Sequence, residues 1–296
     1  MGIPFEKAPI GEISWVYGEM KDYLDLLRAK YFSRASTKAI DEDAYDYTVT
    51  EGISSLMNAL AEEIKPKSTI HLNYTLTALR KEKEKFILTF NHNGTEEIVH
   101  ADYVIMTIPF STLRHVTIDD PVGLSEFTKE AIATLPYGDH SKVGIPLQGD
   151  TNLYDQLAYY LNLDDEIVAW PGNHTLTLFI DGTTGKALTL PSGLALGEKH
   201  AALISEMYPG KTMDEAVIKN WSTDPFSRGS YSAHTTDVNQ ALFRESSLYK
   251  GMRAYAEPVG RLIFAGEHTR DNYPASIEGA IQSGLLAADI ALKHKK

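Results

Sequence analysis

The sequence contains no cysteine. Structural disulfides and thiolate metal sites are therefore excluded, and the fold has to be held by non-covalent contacts. Positive charge is also scarce: 28 Lys and Arg stand against 40 Asp and Glu, a formal net charge of −12. Such a chain is a poor partner for nucleic acid or an anionic membrane, while its field draws in cationic small molecules and favours solubility. No apolar run approaches the roughly 18 residues of a spanning helix. The first residues do not pair a basic segment with an apolar one, so neither a membrane span nor an export signal is expected and the cytoplasm is the default compartment. Sequons such as Asn73-Tyr74-Thr75 carry no meaning in that setting.

What is present fits a soluble globular protein. With 43% apolar and 23% charged residues over 296 positions, the chain can bury a sizeable core in about two domains. Apolar residues recur at helical spacing within 13–32 and again at Leu56, Leu60 and Ile64, the second helix ending at Lys65-Pro66-Lys67. Residues 33–50 are polar and read as loop. Strands are expected over Thr69 to Leu79 and Phe86 to Phe90. Asn93-Gly94 marks a two-residue hairpin before Glu97 to His100, and a buried strand runs from Asp102 to Thr107, stopped by Pro109. Residues 144–216 are aromatic-rich, with Tyr154, Tyr159, Tyr160, Trp170 and Phe179. A strand is expected at Leu176 to Ile180, and helices at Ala201 to Met207 and Met213 to Asn220 around a Tyr208-Pro209-Gly210 turn. Gly182-Thr183-Thr184-Gly185-Lys186 is not a phosphate loop, because its first glycine is misplaced and Ala187 stands where a hydroxyl is required.

The stretch from Arg261 to Leu286 organises the rest. Leu262 to Ala265 is an apolar run of strand length stopped by Gly266, and Ser276 opens a segment with Ile277, Ala280, Ile281 and Leu285 at helical spacing. Strand, glycine turn and helix N-terminus together present unpaired backbone N–H groups and the positive end of a helix dipole, suited to a phosphate or an electron-rich ring edge.

These residues resemble a known family. Ala265-Gly266-Glu267-His268-Thr269, then Tyr273-Pro274-Ala275 and Glu278-Gly279-Ala280-x-x-Ser283-Gly284, look like the C-terminal flavin motif of the FAD-dependent amine oxidases, which include monoamine, polyamine and L-amino-acid oxidases and flavin-type lysine demethylases. Leu135-Pro136-Tyr137-Gly138-Asp139-His140-Ser141-Lys142-Val143 and Trp221-Ser222-Thr223-Asp224-Pro225-Phe226-Ser227-Arg228-Gly229-Ser230-Tyr231-Ser232 resemble two further segments of that family.

The resemblance implies an α/β fold: an incomplete FAD/NAD(P)-binding, Rossmann-like domain from 1–110 and 221–296, and a mixed-sheet substrate domain over 111–220. It implies non-covalent FAD and a small-molecule amine or amino acid as substrate. Lys142 would hold a water near the reactive flavin nitrogen, or else is a surface lysine at a strand start. Tyr231 would form one wall of an aromatic cage, with Ala275 and Ser276 also against substrate and Ser276 leaving the opposite wall open. Leu76, Thr107, Gly266, Glu267, Ser276, Ile277 and Ala280 would line the cofactor; Glu267 would face the ribityl and pyrophosphate, or instead bind backbone. The family's Gly-x-Gly-x-x-Gly, which would hold the ADP moiety, has no counterpart, and Glu51 stands where the family's helix box has glycine. Either a partner chain supplies that unit, or the chain is a non-catalytic remnant or a structural or ligand-binding subunit without flavin. Apolar sheet and helix faces are then expected to lie uncovered.

Overall fold

A computed structural model describes residues 53–148, 160–162, 167–172, 175–180, 182–207, 212–213, 216–233, 242 and 247–294. The helix expected within 13–32 and the loop after it lie outside these residues, as do Tyr154 and Tyr159. The described residues fall into two compact units, 53–74 and 75–294.

The first unit carries helix α1 (Ile53–Ile64), with Leu56 and Leu60 about half exposed. The second begins with strands β1 (Tyr74–Glu82), β2 (Lys85–His92) and β3 (Thr95–Ala101). Asn93 and Gly94 both adopt left-handed backbone, φ 53° and 90°, the pairing a primed hairpin turn requires, and β2 and β3 pair antiparallel from Phe86↔Ala101 to His92↔Thr95. A short strand β5 (Thr117–Ile118) adds to β1 in parallel and completes a four-stranded sheet, β3-β2-β1-β5.

Strand β4 (Val104–Met106) pairs in parallel with β12 (Leu262–Phe264), the last strand of the chain. The brief helix α2 (Phe110–Leu113) follows β4 and places Phe110 in the middle of the core. Its ring lies 5.7 Å from Phe264, 6.0 Å from Tyr255 and 4.6 Å from His268. Helix α3 (Glu126–Thr134) is capped by Ser125, whose Oγ accepts from the Thr128 N–H at 3.0 Å, and buries Ala131 and Ile132 against the same cluster.

The second sheet is built on β6 (Ser141–Gln148). β9 (Thr175–Ile180), β8 (Ile167–Gly172) and β7 (Tyr160–Asn162) continue it on one side, and β10 (Thr212–Met213) and β11 (Val217–Asn220) pair with β6 on the other. Every pairing in it is antiparallel. Val143, Ile145, Leu178 and Ile180 bury one face. Between the sheet strands lie α4 (Gly182–Ala187) and α5 (Leu190–Met207). On α5, Gly197 leaves room for Val143 and Ile145, so the helix backbone comes down onto the sheet. The helix expected over Met213 to Asn220 is instead two strands: Met213 in β10 and Val217 to Asn220 in β11 pair with β6, and β-branched Val217 and Ile218 suit that edge.

The final helix α6 (Ile277–His294) buries Ala287 and Ile290. Its other face leaves Ile277, Ile281, Leu285 and Leu292 55–69% exposed, and in β4 Ile105 is 42% exposed between the buried Val104 and Met106. Phe110→Ala is expected to cost about 3–5 kcal/mol, read as a lower denaturant midpoint; a loss below about 1 kcal/mol would show that Phe110 does not anchor this core.

Candidate functional site

The turn after β12 is built around one glycine. Gly266 takes φ 135°, and a Cβ there would meet the His268 ring at 2.5 Å, so both backbone and space demand glycine. Its N–H donates to Ser283 Oγ on α6 at 2.8 Å, and that hydroxyl donates to the Ala280 carbonyl, pinning the turn to the helix. Glu267 to Thr269 then form a single 3₁₀ turn, with Thr269 Oγ1 donating back to the Gly266 carbonyl and the buried Tyr255 hydroxyl donating to the His268 carbonyl. Burial pushes the Tyr255 phenol well above its ordinary pKa.

Glu267 is the junction. Its carboxylate accepts from the Ser232 N–H at 2.9 Å, from Ser232 Oγ at 2.6 Å and from the Ala275 N–H at 2.7 Å. Three of about four acceptor positions are thereby filled by the chain itself. Of the two roles expected for Glu267, binding to backbone is the one this geometry displays, and among the described residues one acceptor position is left over.

Ala275 lies in a strained turn. Tyr273 and Ala275 hold φ 55° and 58°, sparsely occupied by non-glycine residues. Ser276 Oγ donates to the Tyr273 carbonyl at 2.5 Å and accepts from the Gly279 N–H at 3.0 Å, which makes Ser276 the N-cap of α6. A Cβ on Gly279 would overlap the Tyr273 carbonyl, so this glycine lets the turn lie on the helix.

On the other side of Glu267, a backbone zipper carries Tyr231. Gly138 N–H donates to the Tyr231 carbonyl at 2.9 Å, Ser230 N–H to Gly138 at 2.8 Å, and Ala233 N–H to Pro136 at 2.9 Å, around a Tyr137↔Ser232 bridge. Tyr137 is locked beneath it: its hydroxyl accepts from the Phe110 N–H at 2.9 Å, and burial raises its phenol pKa. The Tyr231 ring is 39% exposed and sits 4.8 Å from His140, which meets Phe179 edge-on at 4.6 Å. Lys142 pairs across the strands with Phe179 on one side and Lys219 on the other, and its Nζ lies 5.9 Å from the Phe179 ring. The strand period of two puts Lys142 on the face opposite Val143 and Ile145.

Lys219 is neutralised by Asp224, and its Nζ lies 4.9 Å over Trp221. The Lys219 hydrogen bond holds the Asp224 pKa below its ordinary 3.8.

Several expected site residues are thus linked. Glu267 touches Ala275 directly and Tyr231 through Ser232, and His140 and Phe179 join Tyr231 to Lys142. Thr107 is exposed just past β4, where Ala265 N–H donates to the Met106 carbonyl, so it lies at the same carboxyl-end edge as Gly266. Ile277 and Ala280 are exposed on α6. Leu76 is apart, on β1, packed against the core. A cleft of about 300 Å³ lined by Leu113, Arg114, Ile118, Leu124 and Ile132 contains none of them. Sequence reasoning missed His140, Ser232 and Ser283. His140 carried one signal, its place two residues before Lys142 in the same family-like segment.

Comparison with known proteins follows the same lines. The family described as flavin containing amine oxidoreductase matches residues 13–292. The chain is 25% identical to polyamine oxidase 5 of rice over 83% of its length and 48% of that protein's. It is 27% identical to a putative L-amino-acid oxidase of Bacillus subtilis over 83% of this chain and 52% of the relative. To a possible lysine-specific histone demethylase 1 of Drosophila melanogaster it is 25% identical over 90% of this chain and 33% of the relative. The chain spans about half the length of the first two relatives. No helix among the described residues is long and apolar enough to cross a membrane.

Two substitutions check the geometry. Gly279→Ala, which would stabilise an ordinary exposed helix by about 1 kcal/mol, is expected here to destabilise by about 1–3 kcal/mol because the methyl meets backbone. The Asp224 contribution is present above pH 3.8 and is lost as pH falls through the lowered value. Lys219→Met should therefore flatten the fall in stability on acidification; an unchanged acid limb in urea titrations would contradict the pairing.

Proposed function

Since the chain belongs to the flavin-containing amine oxidoreductases, we propose that it forms the substrate- and flavin-facing half of an FAD-dependent amine oxidase acting on an amine or L-amino acid in the cytoplasm. The observation that carries this reading is the Glu267 carboxylate, which joins the Tyr231 segment to the turn before α6.

The residues present fit one end of FAD. The α6 N-terminus opens beside Gly266, with Ser276 as cap and the exposed Ile277 in its first turn. Backbone N–H groups of Ser276 and Ile277 would stabilise negative charge on an electron-rich ring edge. Gly266, the remaining acceptor of Glu267, Thr107 and Ala280 would line the ribityl side, and Leu76 the adenine. The ADP end requires a Gly-x-Gly-x-x-Gly unit from a further segment or a partner chain, and the exposed faces of α6 and β4 suit such a neighbour. In this division 1–110 and 221–296 form the partial cofactor domain and 111–220 the substrate domain.

Bound FAD would accept hydride from the carbon bearing the neutral amine and return the electrons to oxygen as peroxide, the imine being hydrolysed in water. Tyr231 would present its ring face to the substrate, with Ala275 and Ser276 completing the pocket. Lys142, close to aromatic surface, would hold a water and move a proton at Nζ.

The test is a visible spectrum after incubation with FAD and desalting, followed by screening of benzylamine, spermidine and L-leucine for peroxide. A retained flavin band bleached anaerobically by one of these supports the reading, and Lys142→Met should then slow reoxidation by about tenfold or more while leaving flavin reduction within about twofold. A colourless, folded protein would contradict flavin binding by this chain alone; one that stays colourless with FAD even when a chain bearing Gly-x-Gly-x-x-Gly is supplied would contradict the reading and favour a subunit that acts without flavin.

A further inference from the structure

His140 does two things that its sequence context does not announce. It is 7% exposed, and its imidazole lies flat on the chain at Gly138, where a Cβ would come within 2.7 Å of Nε2 and 2.8 Å of Cδ2. The ring is wedged between the Phe179 edge at 4.6 Å and the Tyr231 ring at 4.8 Å, and Nδ1 faces the Tyr231 hydroxyl at 3.5 Å. The backbone of Tyr231 is already fixed, by Gly138 N–H on its carbonyl and by Glu267 on the next residue. Its side chain is 39% exposed, and the His140 ring packs against it with Nδ1 facing its hydroxyl end.

We propose that His140 is a positioning residue that fixes the ring plane of Tyr231, and thereby sets how tightly a cationic or neutral amine is held against that ring. This rests on the reading of Tyr231 as the amine-facing wall. On that reading Ser276, not an aromatic residue, falls at the position of the opposite wall, so the orientation of the Tyr231 ring weighs heavily in cation–π contact. The support comes from behind the ring rather than from across the pocket: Phe179 backs His140, and His140 backs Tyr231. Gly138 is required because any side chain there would push the imidazole off the backbone. The hydroxyl contact is long for an O–H···N bond, and the imidazole therefore acts through ring contact and hydroxyl together.

The test uses benzyltrimethylammonium, a cation that cannot be oxidised, together with ¹⁵N-histidine-labelled protein. Tyr231→Phe should shift the His140 Nδ1 resonance. His140→Phe, which keeps the ring but removes the nitrogen, should weaken probe binding by about two- to fivefold, and the double variant should bind no worse than the weaker single one. Where amine turnover is measurable, His140→Phe should raise KM while leaving kcat within about twofold, whereas a merely structural role would lower the amount of folded enzyme and leave KM unchanged. An unmoved Nδ1 resonance in Tyr231→Phe, additive losses, or a wild-type protein that does not bind the probe would each overturn the proposal. Tyr231→Phe alone decides the matter if His140→Phe does not fold. The oxidase reading fails separately, through a missing flavin band, and probe binding with intact coupling would still support the role of His140.

Discussion

The candidate site depends on one carboxylate. Glu267 gathers Ser232 and Ala275, which belong to segments far apart in the sequence, onto two oxygens. Hydrogen bonds to a charged acceptor contribute about 1.5–3 kcal/mol each at most, and removing the carboxylate takes away the partner of the buried Ser232. That asymmetry matters more than the mean strength. Ser232 adjoins Tyr231, and Ala275 adjoins the cap of α6, so the two functional edges are held in register by a group that need not itself react.

The rest of the unit serves to place this junction. The parallel pair β4 and β12 delivers Thr107 and Gly266 to one carboxyl-end edge, where ligands of α/β sheets gather. Phe110, wedged among Phe264, Tyr255 and His268, fixes the underside of the turn. From the other direction, β6 carries Lys142 on one face while Val143 and Ile145 bury the opposite one, and His140 immediately precedes the strand. Ile277, Ile281 and Leu285 on α6 and Ile105 in β4 are large apolar side chains left exposed among the described residues.

Local chemistry made part of this legible in advance. Asn93-Gly94 specified its hairpin because both residues accept positive φ, and Ser276 opened α6 because its hydroxyl caps the first turn. The flavin-type motif identified the family through residues that share one turn. What stayed hidden was long-range. Val217 to Asn220 became a strand because β6 offered an unpaired edge, which no local pattern records. Nor could spacing show that Glu267 turns toward Ser232, since that choice depends on how residues 230–233 zip onto 136–138. His140 lies just before β6, and its contact with Tyr231 depends on the same zipper.

The central claim is best tested by a double-mutant cycle between Glu267→Gln and Ser232→Ala, measured by chemical denaturation. If the carboxylate holds the two segments together, the losses will be strongly non-additive, with a coupling of about 1–3 kcal/mol. Additive losses, within about 0.5 kcal/mol, would mean that Glu267 is not the junction and that the segments are held by something else.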